Sequence, residues 1–189
     1  PFYLKAPGTT KPGSTSDVPV SGIDWYPTIL ELCDVPLPKK QKVDGVSLVP
    51  LLRGKSIPRR PLYWHYPHYG NQGGEPSSII MERDWKLIHY HEDGRDELYH
   101  LGKDQAEQND LFAKESKRAG QMRKTLDAWL KKTKAKFPRK DERHDPAKRA
   151  ARWESIKGTG KERLEKQHAG FLKPDYQPNK DWWGSSPKD

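Results

Sequence analysis

Arg60-Pro-Leu-Tyr-Trp-His-Tyr-Pro-His-Tyr-Gly-Asn-Gln-Gly-Gly74 carries aromatic residues and two histidines straight into a glycine-rich turn. Alternation along it places Leu62, Trp64 and Tyr66 on one face of a strand and Tyr63 and His65 on the other. The loop beyond the strand offers the imidazoles of His65 and His68 and the amides of Asn71 and Gln72, neutral groups that suit a polar, oxygen-rich ligand. The plainer use of the same residues is a half-buried strand followed by a turn. The order of the flanking segments bears on the choice.

Downstream, Ser77 to Met81, Trp85 to His91 and Glu97 to Leu101 read as three short strands, joined by turns at 82–84 and 92–95, the second carrying an Asp-Gly hairpin signal. With residues 62–66 they make an antiparallel meander of four strands. Trp85, Leu87, His89 and His91 share one face of the third strand, and Lys86, Ile88 and Tyr90 the other. His89 and His91, two residues apart, have the spacing to share a metal, but no cysteine or carboxylate is expected to complete the set, so they read as edge-strand surface. Ala113 to about Ala135 is a helix whose apolar stripe is Ala119, Met122, Leu126, Trp129 and Leu130. A helix over a sheet makes a two-layer subdomain.

Upstream, Pro1 to Ala6 reads as a strand. Asp24 is placed to cap a helix running to about Cys33, with Pro27 in its first turn, where a missing N–H costs little. Ile23, Tyr26, Leu30 and Cys33, widened by Ile29 and Leu32, form the expected buried face, which makes Cys33 a small core residue. As the single cysteine it excludes an internal disulfide. Ser47 is placed to cap one helical turn near Pro50. Arg59 and Arg60 are a solvated bend or, alternatively, a grip for an anion.

Hydrophobic residues make up 32% of the 189 and mean hydropathy is −1.07, so the whole length cannot be packed core. Residues 1–112 hold 13 Lys+Arg against 15 Asp+Glu, and residues 113–189 hold 22 against 11. The last stretch, 137–189, has too few apolar residues to offset ordering entropy and is expected to be largely extended, apart from a helix-compatible run near 145–154 and the pair Trp182-Trp183. Its charge allows polyanion binding by counterion release, nucleic acid included, although a solvated tail needs no such partner. No apolar run is long enough to span a bilayer. The start, which lacks Met, reads as that of a fragment.

The order of these segments resembles the C-terminal part of the type I, formylglycine-dependent sulfatases. The residues that carry the likeness are Pro1-Phe-Tyr-Leu-Lys-Ala-Pro-Gly8, Lys11-Pro-Gly-Ser-Thr-Ser-Asp17, Ile23-Asp-Trp-Tyr-Pro-Thr-Ile-Leu-Glu-Leu-Cys33 and Asp44-Gly-Val-Ser-Leu-Val-Pro-Leu-Leu52. They continue through Arg60 to Gly70, Asp84-Trp-Lys-Leu-Ile88, Glu97-Leu-Tyr-His-Leu101 and Glu107-Gln-Asn-Asp-Leu111. The resemblance implies an α/β, alkaline-phosphatase-like fold. Residues 1–54 would end the large domain, 55–135 would form the C-terminal subdomain of antiparallel sheet plus helix, and 136–189 would be a basic, largely irregular extension.

It further implies a sulfuric ester hydrolase acting on sulfated carbohydrate, with calcium and formylglycine in the intact parent and no cofactor bound by this fragment. On this reading the family's C/S-x-P-x-R modification motif lies outside the chain: Cys33 is followed by Asp34-Val-Pro-Leu37, with proline one place late and no arginine. No catalytic or metal residue is therefore carried over, and the fragment alone is expected to be inactive. His65, His68, Asn71 and Gln72 are the candidate substrate contacts. The implied partners are the N-terminal catalytic half and the sulfated sugar, with no membrane and no nucleic acid, in a periplasmic or secreted setting. The alternative is a noncatalytic module that binds glycans or polyanions.

Overall fold

The computed structural model describes residues 2–70 and 74–176, which fall into two units, 1–138 and 139–189. In the first unit, a 3-10 turn at Gly22–Asp24 leads into helix α1 (Trp25–Leu32), and a single turn, α2 (Val49–Leu52), follows. Pro27 sits in the first turn of α1 and is buried, as its position predicts. Ser47 Oγ accepts from Val49 N at the start of α2.

Around α1 the structure corrects three expectations. The side chain of Asp24 does not cap the helix. It is fully buried, and its carboxylate accepts from Ser21 N (2.8 Å) and Val46 N (3.0 Å) and pairs with the Arg60 guanidinium. Arg60 is thereby tied down rather than solvated. The apolar stripe is not the covered face: Ile23, Tyr26 and Ile29 are exposed, and so is Cys33.

What α1 meets instead is backbone. Val46 N and Leu48 N need acceptors, and Asp24 and Thr28 supply them, Thr28 Oγ1 accepting from Leu48 N at 2.9 Å. Gly45 makes this approach possible, since a Cβ there would lie 2.0 Å from the Ile23 carbonyl oxygen. Residues 2–6 form no strand, because no described segment lies beside them to pair with their backbone. Phe2 rests on Trp25, ring centroids 5.4 Å apart, and Tyr3 is exposed.

The meander is as the alternation predicts: β1 (Leu62–Tyr66), β2 (Ser77–Glu82), β3 (Trp85–Tyr90) and β4 (Asp96–His100) pair antiparallel in that order. Register aligns Tyr63, Ile80, Leu87 and Leu98 in one row across all four strands. Helix α3 (Ser116–Lys132) covers that row with Ala119, Met122, Leu126 and Leu130. Tyr63 stacks on Trp129 at 4.7 Å between nearly parallel rings. Each leucine buried in this layer stabilises it by about 1.5–3 kcal/mol.

The second unit differs from the expectation of a largely irregular extension. Its described part holds helices α4 (Pro146–Ser155) and α5 (Lys161–Phe171), joined by a wide turn. No residue of either helix is buried, so local interactions account for them. Asp145 accepts from Ala147 N and Lys148 N, with Pro146 at the first helical position, and Lys161–Glu165 is an i, i+4 pair. Trp182-Trp183 lies outside the described residues.

Candidate recognition site

The same register that builds the apolar row places His65, Ser78, His89 and Asp96 side by side in a second row, on the α3 side and at the loop end of the sheet. His91, just past β3, joins them. The Ser78 hydroxyl is fully buried and lies 2.7 Å from His65 Nδ1 and 2.8 Å from His91 Nε2.

Donor counting orders the protons along this chain. His65 Nε2 lies 2.8 Å from the Lys136 carbonyl, which can only accept, so Nε2 carries a proton, and in the singly protonated tautomer this selects, Nδ1 accepts from Ser78. With its one proton so placed, Ser78 accepts from His91 Nε2–H. The resulting line, His91 to Ser78 to His65 to the Lys136 carbonyl, fastens the chain just beyond α3 to three neighbouring segments of the sheet. Burial lowers the His91 pKa to about 4, with the charges of His89, His65 and Arg123 adding to the effect, and keeps its imidazole neutral. Phe137 closes the cluster, 5.7 Å from His65 and 5.3 Å from His91 between ring centroids.

His89 and His91 are therefore not edge-strand surface. The third strand lies inside the sheet, and His89 Nδ1 lies 2.9 Å from Asp96 Oδ1 and 2.7 Å from Arg123 Nη1. Arg123 also reaches both Asp96 oxygens and Asp127. Asp96 is a carboxylate next to His89 after all, but the arginine has taken it. Among the described residues no group of three or more His, Cys, Asp or Glu is placed to hold a metal ion. The donors among the described residues do not fit calcium.

The four candidate contacts separate. His65 turns inward, and both of its ring nitrogens are occupied. His68 is exposed, edge-on to Tyr66 at 5.5 Å, and makes no hydrogen bond with described residues. Asn71 and Gln72 lie outside the described residues. Ser78 and Lys136, which complete the histidine chain, went unnoticed in the sequence. The pairing register points to Ser78, while nothing local marks a carbonyl 71 residues from His65.

One further correction concerns the linker between α2 and β1. Ser56-Ile-Pro-Arg-Arg60 spells Ser-x-Pro-x-Arg, so the letters of the modification motif do occur in the chain. Here its last arginine is the partner of buried Asp24. The linker borders a cleft of about 700 Å³ at the opposite end of the sheet, where Arg59, Arg60 and Arg83 face Asp17, Glu82 and Asp84.

A family profile described as N-sulphoglucosamine sulphohydrolase, C-terminal, matches residues 1–136. The chain belongs to this sulfatase family. It is 35% identical over 151 residues to a sulfatase of Formosa agariphila, an alignment covering 71% of this chain and 27% of that protein. It is 32% identical over 120 residues to an N-acetylglucosamine-6-O-sulfatase of Bacteroides thetaiotaomicron, covering 60% of this chain and 21% of the relative. A solved structure of a protein in complex with its substrate D-glucosamine-2-N,6-O-disulfate superposes with a TM-score of 0.60 at 30% identity, over 73% of this chain and 29% of that one. The chain thus spans about a quarter of the length of these sulfatase relatives. Its sheet and α3 are the C-terminal part of the alkaline-phosphatase-like sulfatase fold. Among the described residues no helix is long and apolar enough to cross a membrane.

Proposed function

We propose that these residues serve a carbohydrate sulfatase by presenting the 67–74 loop to a sulfated sugar. In this proposal His68, Asn71 and Gln72 contact the sugar, while His65 is a positioning residue that holds the end of β1. The observation that carries the reading is the double anchorage of His65 immediately before the loop, which fixes the base from which the exposed His68 projects. Neutral imidazole and amide groups bind hydroxyls without the desolvation cost of an unpaired charge. Relatives named for sulfated glucosamine support the substrate class.

The catalytic half, with formylglycine and calcium, would come from sequence that the relatives have beyond the aligned quarter. Formylglycine supplies the nucleophile for sulfur when present. The bare face of α1, with Ile23, Tyr26 and Ile29, is where that half would pack, in a periplasmic or secreted enzyme. The 189 residues alone are expected to release no sulfate.

The test is sulfate release from sulfated glucosamine and from an aryl sulfate by the protein extended to the length of its relatives. In the extended protein, His68→Ala is expected to lower the ratio of the two kcat/KM values about tenfold, a loss of about 1.4 kcal/mol of discrimination. An unchanged ratio, or no sulfate release by the extended protein, would overturn the reading.

A further inference from the structure

We propose that the outer face of α3 is a docking surface for a sulfated polysaccharide, distinct from the 67–74 loop. Positive charge is densest here, not in the tail. Residues 113–136 hold nine Lys+Arg against two carboxylates, whereas 137–189 hold 13 against 9. With about 3.6 residues per turn, Lys117, Lys124 and Lys131 fall within about 40° of one another, on the side away from Ala119, Met122, Leu126 and Leu130. They repeat about every 10.5 Å along the helix axis. Lys114, Lys132, Lys134 and Lys136 flank them, and all seven are exposed.

None of the seven has an ion-pair partner among the described residues. Some cations elsewhere in the same unit are paired, Lys86 with Glu107, Arg95 with Glu75 and Asp93, and Arg60 with Asp24, but none of those left unpaired lines up along a helix face as these do. On α3 itself Asp127 is taken by Arg123. Burying seven unpaired ammonium groups against ordinary protein surface would carry a large desolvation cost. A flexible line of anions suits them, because each contact releases counterions.

Two observations select among polyanions. Lysines act as point charges rather than planar forks, and no exposed aromatic residue lies on α3 for a base to stack on, Trp129 being turned beneath the helix onto Tyr63. That disfavours nucleic acid. The choice of a sulfated sugar polymer rests on the sulfatase reading above, whose substrate carries the same groups.

The experiment measures heparin binding to the full chain across a series of salt concentrations. Lys117→Gln, Lys124→Gln and Lys131→Gln together, substitutions that keep helix propensity, are expected to weaken binding about tenfold and to flatten the salt dependence by about three contacts. The same three-site change at Lys148, Arg149 and Arg152 on α4 should weaken binding less than twofold. Equal binding by the α3 variant, an equal loss in the α4 variant, equal binding of desulfated heparin, or tighter binding of duplex DNA would each overturn the proposal. Heparin binding through α3 by a chain whose extended form releases no sulfate would count against the sulfatase reading and not against this surface. Sulfate release with heparin binding indifferent to α3 would remove the surface alone.

Discussion

In the layer built by β1–β4 and α3, apolar side chains meet apolar side chains, and the polar row beside them is satisfied by residues of the same layer. Around α1 the arrangement is reversed. The covered groups include Asp24 and Thr28, bonded to backbone N–H groups and to Arg60, while Ile23, Tyr26 and Ile29 face outward. One region is held by nondirectional burial distributed over many contacts. The other adds to a few buried apolar residues a single buried carboxylate, whose loss strands a half-buried arginine.

The sharpest break of this comparison is Asp24→Ala, which leaves the Arg60 guanidinium and two backbone donors without their acceptor. It should cost about 3–5 kcal/mol, confined to residues 21–60. Hydrogen exchange should then show loss of protection at Val46 N with β2 and β3 unaffected. Leu126→Ala, with a similar cost of about 2–5 kcal/mol, should do the opposite and expose the sheet. Equal responses of both regions to both changes would show them to be one cooperative body.

A smaller effect is expected at the polar row. Ser78→Ala removes the hydroxyl between two imidazoles and leaves His91 Nε2–H without its acceptor, a cost of about 1–3 kcal/mol. Thermal unfolding checks the cost, and amide exchange beyond α3 should rise if the histidine chain fastens that segment.

The finest effect lies in the pH dependence. The folded state holds His91 near a pKa of about 4, below its ordinary 6.5, so between these values the unfolded chain binds more protons. Stability is therefore fully present above about pH 6.5 and is lost as pH falls through 4. His91→Phe should flatten the fall of Tm across that window, and an unchanged slope would assign it to other groups.

Much of the sheet layer was legible because its signals are local. Alternation set the faces of β1 and β3, the Asp-Gly turn marked a hairpin, and the helical stripe named the four α3 residues that are buried. The histidines were misread, since donor and acceptor pairing across four strands depends on register, and spacing within one strand does not reveal it. His89 looked like surface until the third strand proved interior and Arg123 arrived from α3.

By itself the sequence determined the four strands of the sheet, the helices α1 and α3 and the sulfatase family of residues 1–136, because periodicity and segment order are properties of the chain alone. Tertiary structure decided which face each element shows. An amphipathic helix is covered only where a partner stands, which is why the α3 stripe is buried while on the α1 stripe Ile23, Tyr26 and Ile29 are exposed and Leu30 and Leu32 only half-buried. It also decided that Asp24 binds Arg60 rather than capping a helix, and that His65 anchors the loop while His68 projects from it. Those outcomes depend on groups far apart in the chain.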